Sequence, residues 1–340
     1  MTTSRRTVIT AMLAAPLALL PESATAEPIP GGPWVCGGQP IQLDGLHSNA
    51  ELTAELERLA RQHPDTFTLE VIGHSVENRP LHSATVGTGA RKILMLTQVH
   101  GDEPLGTEAA LKLLTTACAD TPAARALREQ ITIIVVSRIN PDGWERYQNR
   151  DFAEGIDPRR NSNNIDLNRA FGPYDTTDPA LVPEAVAVKK VVAEHEPDLI
   201  LDYHHQVTYA TADGEMATMS VLWSTHPDVD PAVVDDGRRA AVVIDAALKR
   251  NGHSTVTLYP RSDTATTARN GLGLDGYPTL LIEQRGQQEA GQKGHGTLVA
   301  EALRSMRAVA GSLADGSFDS VDPALAETLP ERGGVVKSDC

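Results

Sequence analysis

The stretch Ile93-Leu-Met-Leu-Thr-Gln-Val-His100-Gly-Asp-Glu103-Pro-Leu-Gly106 decides the fold. Its apolar run, Ile93 to Leu96, reads as a buried strand, and a glycine-punctuated loop follows it. Thr107 to Leu114 then sets apolar residues at helical spacing. Open α/β sheets place their ligands where a strand hands over to its loop. His100 and Glu103 stand in that loop, three residues apart, so an imidazole nitrogen and a carboxylate oxygen could face one cation. Nitrogen and oxygen donors together suit zinc, whose catalytic sites take three protein ligands plus water. A capping or surface pair would look the same in isolation, so the rest of the chain must decide.

Working outward, Ser48 to Gln62 is an amphipathic helix with Ser48 and Glu51 at capping-box spacing. Thr66 to Gly73 and Leu81 to Val86 read as strands, Ala123 to Gln130 as a helix, and Ile131 to Ser137 as a β-branched buried strand. Helices across Pro183 to Glu194, Val233 to Arg250 and Thr297 to Leu313 alternate with strands at Leu199 to Tyr203 and Thr279 to Glu283. This alternation predicts a single α/β domain, residues 48–314, with helices on both faces of a central sheet. Residues 315–340, rich in Gly, Ser, Asp and Pro, are expected to be a mobile tail.

Ser4-Arg5-Arg6-Thr7, an apolar stretch to Leu20 and Ala24-Thr25-Ala26 make residues 1–26 a twin-arginine signal peptide. This predicts a secreted or periplasmic protein that crosses the membrane already folded. Residues 27–47 are Pro- and Gly-rich and read as an irregular lead-in. Removal of the signal leaves 314 residues, enough for one large core. With 45 acidic against 30 basic residues the net charge is −15, and no basic patch interleaved with aromatics occurs. Nucleic acid and, after signal removal, membrane are therefore not expected partners. Three scattered cysteines exclude a disulfide scaffold, though Cys36 and Cys118 could pair.

Three further stretches carry chemistry. Asn140-Pro-Asp-Gly143 is a turn signal. It is followed by the donor-rich Arg159-Arg-Asn-Ser-Asn-Asn-Ile-Asp166-Leu-Asn168-Arg169, whose guanidinium and amide groups suit a carboxylate. In Asp202-Tyr-His204-His205, strand alternation puts Asp202 and His204 on one face and Tyr203 and His205 on the other. One of these histidines can complete a metal site while the other is satisfied in the core. Glu283 ends an apolar strand, where a carboxylate is costly unless paired, as with Arg285, or functional.

In order, His-Gly-Asp-Glu-Pro, Asn-Pro-Asp-Gly, Asp-Leu-Asn-Arg, Asp-x-His and a late Glu-x-Arg resemble the zinc carboxypeptidase family typified by pancreatic carboxypeptidase A. The resemblance covers roughly residues 48 to 310 and implies a mixed, mostly parallel twisted sheet. It implies one Zn2+ per chain on His100, Glu103 and His204, with Asp166 orienting His100. It implies Glu283 as general base and proton shuttle, and Asn168 with Arg169 gripping a substrate's terminal carboxylate. Arg160, with Arg159 and Arg150 as rivals, matches the arginine that polarises the scissile carbonyl. Tyr259, 24 residues before Glu283, is nearest to the family's closing tyrosine, while Tyr277 lies too close. The Thr- and Gly-rich loop between Tyr259 and Glu283 departs from the family pattern, which leaves the side-chain preference open.

The implied activity is removal of the C-terminal residue from peptides bearing a free carboxylate, by a monomeric enzyme. The nearest alternative is a zinc deacylase of the aspartoacylase or succinylglutamate desuccinylase type, which shares His-Gly-x-Glu and Asp-Leu-Asn-Arg but acts on N-acyl amino acids. The Asn-Pro-Asp-Gly turn, the late Glu-x-Arg and the export signal favour the peptidase. An inactive secreted binding protein would be expected to lack a ligand or the base, and all four residues are present here.

Overall fold

The computed structural model describes residues 43–150, 155–250, 254–285 and 295–336. The predicted signal peptide, most of the 27–47 lead-in, and the Cys36 half of the possible disulfide lie outside them. Cys118 is buried at the end of the second helix.

In chain order the elements are α1 (Asn49–Gln62), β1 (Phe67–His74), β2 (Pro80–Val86), β3 (Arg91–Thr97), α2 (Leu105–Ala117), α3 (Pro122–Gln130), β4 (Ile131–Ser137), α4 (Pro141–Asn149) and α5 (Pro183–His195). There follow β5 (Leu199–Gln206), β6 (Ala217–Leu222), α6 (Pro231–Lys249), β7 (Thr255–Leu258), α7 (Ala268–Leu274), β8 (Thr279–Arg285) and α8 (His295–Asp315). Local chemistry starts many of the helices. Ser48 and Glu51 form a reciprocal capping box on α1, and a proline sits in the first turn of α3, α4, α5 and α6.

The strands pair in the order β1-β2-β4-β3-β5-β8-β6-β7 as one mixed sheet. Its four central strands, β4, β3, β5 and β8, are mutually parallel. Successive residues alternate between two cores. Met95, Leu201, Tyr203 and Ile282 join α2, α6 and α8 on one face. Leu94, Leu96, Ile134, Val136 and Ile200 join α5 and α7 on the other. Coverage on both faces is why these strands read as unbroken apolar runs. From β3 the chain goes first to β4 on one side and later to β5 on the other, so β3 is the switch point where a crevice opens. His100 follows it directly. No described helix is long and apolar enough to cross a membrane.

Three segments differ from expectation. Asn140-Pro-Asp-Gly143 starts α4 rather than closing a turn, because the Asn140 side chain accepts from the Gly143 N–H (2.9 Å) and Pro141 tolerates a first helical turn. The Thr- and Gly-rich loop contains α7, capped by Thr267. The tail is docked through Val336. Phe318, Ala326 and Leu329 are buried, and along the edge of β7 the Leu258 N–H donates to the Pro330 carbonyl while the Leu258 carbonyl accepts from the Arg332 N–H. Apolar side chains together with an open sheet edge hold a segment whose composition alone suggests mobility.

Candidate active site

The loop after β3 is locked before it reaches His100. Gln98 adopts a left-handed backbone (φ 56°), and its side chain donates to the Gly101 carbonyl while accepting from Thr107 and Arg138. Gly101 lies backbone to backbone against α4, so that a Cβ there would sit 2.3 Å from the Gly143 carbonyl carbon. The two glycines therefore let the His100 loop and the start of α4 touch.

This packing brings His100, Glu103 and His204 together, all buried, with one ligand atom from each within 4.8 Å of the others. His204 Nδ1 lies 3.0 Å from His100 Nδ1 and 2.8 Å from a Glu103 oxygen. Behind them, His100 Nε2 is 3.0 Å from Asp166 and His204 Nε2 is 3.0 Å from Asp202. A ring N–H given to each outer carboxylate would leave both Nδ1 atoms as lone pairs directed toward Glu103. Two imidazole nitrogens and a carboxylate converging at this distance fit a cation, and such a donor set is that of a three-ligand zinc site with an open position. Without a cation the cluster resorts to protons. Burial opposes charge on His204, yet Asp202 and Glu103 outweigh it and push its pKa up. His205, on the opposite side of β5, accepts from the Leu105 N–H and is held near pKa 4 by burial, so it is the core histidine of the pair.

The guanidinium beside this cluster belongs to Arg159. It donates to Glu103 (3.0 Å) and lies 3.6 Å from Asp166, while Asn140 holds its backbone carbonyl. Arg160, the residue preferred from sequence, turns away to the Asn164 carbonyl, and Arg150 ends α4. Neighbouring residues on an irregular loop diverge, and no periodicity in the sequence says which of them faces inward. Asn168 lies 3.4 Å from His204 Nε2 and accepts from the Ala268 N–H, while Arg169 is exposed beside it.

Glu283 on β8 is in register with His204 on β5, so the two project side by side. Burial, and then the charge of Glu103, push its carboxyl up to about 7, against the opposing pull of the histidines and Arg159. Arg285, its conceivable partner, approaches Glu301 of α8 instead (3.8 Å). Tyr259 follows β7, has its ring under the Arg332 guanidinium at 4.5 Å, and senses the charge of Glu283. Tyr277 packs into the α5/α7 core.

The model of zinc carboxypeptidases matches residues 52–230. The chain belongs to the zinc carboxypeptidase family. Among curated relatives, carboxypeptidase D of Anas platyrhynchos is 30% identical over 65% of this chain but only 17% of its own length. The chain thus spans about a sixth of that protein. Among solved structures, a metallo-carboxypeptidase from Burkholderia cenocepacia superposes with TM-score 0.64 at 20% identity, covering 80% of this chain and 70% of that one. Carboxypeptidase A of Helicoverpa armigera gives TM-score 0.60 at 20% identity over 81% and 75%. These two show the fold.

Within this zinc carboxypeptidase, the sequence under-read Asp202. It served only to set the register of Asp-x-His, yet it is the carboxylate on His204. The signal was present in the strand alternation, which puts residues 202 and 204 on one face. Arg269, buried on α7, could not have been picked out inside a stretch read as loop.

Proposed function

We propose that this chain is an exported zinc metallocarboxypeptidase that hydrolyses the last peptide bond of substrates with a free C-terminal carboxylate. The observation that carries the reading is the buried, convergent cluster of His100, Glu103 and His204, with Glu283 standing in register beside it. One zinc ion per chain on those three residues would supply a Lewis acid and an acidified water. Glu283, with its carboxyl near neutrality, is suited to take a proton from the attacking water and to deliver it to the leaving nitrogen. The Arg159 guanidinium, within reach of Glu103, stabilises charge that develops on the carbonyl oxygen, in place of Arg160. Asn168 and the exposed Arg169 hold the terminal carboxylate and align the last bond. Tyr259 covers the bound end from the β7 side. Asp166 and Asp202 keep the two ligand histidines in tautomer and orientation.

Export rests on Arg5-Arg6 and the small-residue site before Glu27. Replacing both arginines with lysine should trap the protein in the cytoplasm, which fractionation would read. We take the working form to be a monomer. The activity test uses zinc-loaded protein with peptides, their C-terminal amides, and N-acyl amino acids, followed by mass. Loss of one residue from free peptides and none from amides is expected. Turnover of acyl amino acids alone would transfer the chain to the deacylase branch.

A further inference from the structure

Arg269 is 4% exposed, yet the partners of its guanidinium among the described residues are neutral oxygens. Nη2 donates to the Ser262 carbonyl at 3.0 Å and Nη1 to the Thr225 hydroxyl at 3.4 Å. A buried cation without an ion pair is costly. Burial lowers its pKa to about 10, which leaves it charged at neutral pH, and the charges it senses are those of Tyr259, Glu283 and Arg169. Of these, Glu283 is committed to proton transfer in the reading above, and Arg169 has the same sign as Arg269. Arg169 and Arg269 thus carry two guanidiniums on segments that touch, the turn after Asp166 and α7, and among the described residues no carboxylate pairs with the second.

The position of Arg269 is fixed by the same contacts that fix the terminal-carboxylate site. Its neighbour Ala268 donates its N–H to Asn168 Oδ1 at 2.8 Å. Gly271, two residues on, lies against Gly172, where a Cβ would come within 2.3 Å of the Gly271 Cα. The turn bearing Asn168 and Arg169 and the helix bearing Arg269 are therefore one rigid unit. A C-terminal glutamate or aspartate carries two carboxylates a few ångströms apart, one on the main chain and one on the side chain.

We propose that Arg269 is a specificity-determining residue that binds the side-chain carboxylate of an acidic C-terminal residue, so that the enzyme releases glutamate or aspartate ahead of neutral or basic residues. The inference rests on the carboxypeptidase reading and names its substrate class. Arg169 with Asn168 takes the main-chain carboxylate, and Arg269 takes the side chain. A C-terminal lysine is disfavoured by like charge.

The test compares peptides identical but for a C-terminal Glu, Gln, Leu or Lys, using the zinc-loaded full protein. Glu over Gln isolates charge at nearly constant shape, and a charged hydrogen bond predicts a kcat/KM ratio of about 10 to 100. In Arg269→Gln this ratio should fall to about 3 or less, chiefly through KM on the Glu peptide, and Arg269→Lys should restore part of it. Because a ratio is read, a general loss of activity does not mask the result, and zinc content reports whether the variant is folded. Should Arg269→Gln fail to fold, the wild-type ratio and Arg269→Lys still decide. Gln or Leu released as fast as Glu by the wild type overturns the inference and leaves the carboxypeptidase reading intact, as does a ratio unchanged in Arg269→Gln. Release from no peptide with zinc bound removes that reading and the inference with it.

Discussion

Each residue of the candidate site can be asked a separate question. Glu283→Gln keeps the shape of the carboxyl and removes its basicity, so zinc should remain bound at one per chain while turnover falls about 10²- to 10⁴-fold; retained activity would remove Glu283 from the role of base. Only the ionised carboxylate accepts a proton, so kcat/KM should decline as pH falls through its pKa. Without a cation that pKa is about 7. A bound cation favours the ionised form, which places the acid limb below that value in a pH profile of the loaded enzyme. Asp202→Asn should weaken zinc about 10- to 100-fold, readable by competition with a chelator, because His204 loses the partner that fixes its tautomer. Between the two adjacent arginines, Arg159→Gln should depress kcat strongly and Arg160→Gln only slightly, since only the first guanidinium reaches Glu103.

The elements owe their places to contacts of much longer range. Asn-Pro-Asp-Gly has strong turn chemistry, and it became the start of α4 because the chain beyond it, Trp144 above all, is buried against the sheet. Gly143 shows the constraint directly. A Cβ there would lie 2.2 Å from the Pro158 carbonyl oxygen, so Gly143→Ala should cost about 1–3 kcal/mol, lower the melting temperature by several degrees and shift the loop that carries Arg159. The tail is the opposite case. Its composition suggested mobility, but it pairs with the edge of β7 and sets Arg332 over the Tyr259 and Tyr209 rings. Loss of residues 331–340 should therefore raise KM for peptides by freeing Tyr259, with the zinc content unchanged; an unaltered KM would show that the tail only covers an edge.

For the whole molecule, the proposed ligands come from the loop after β3 (His100 and Glu103) and from β5 (His204), so a bound ion would tie distant parts of the chain together. Zinc at a thousandfold excess over its Kd should add about 4 kcal/mol, measured as a rise in melting temperature that a chelator reverses. The sequence by itself determined what is periodic or contiguous. The buried central strands, the helix starts, the α/β layering, and the placing of Asp202 and His204 on one strand face follow from spacings of 2 and 3.6 residues and from short motifs, while the mixed, mostly parallel sheet was implied by the family resemblance. Tertiary structure alone decided which of Arg159 and Arg160 faces Glu103, that Glu283 stands in register with His204, that the tail lies along β7, and that the helix carrying the buried Arg269 is anchored to Asn168. These depend on contacts between residues up to about a hundred positions apart, and local propensity carries no information about which loop conformation the packed sheet permits.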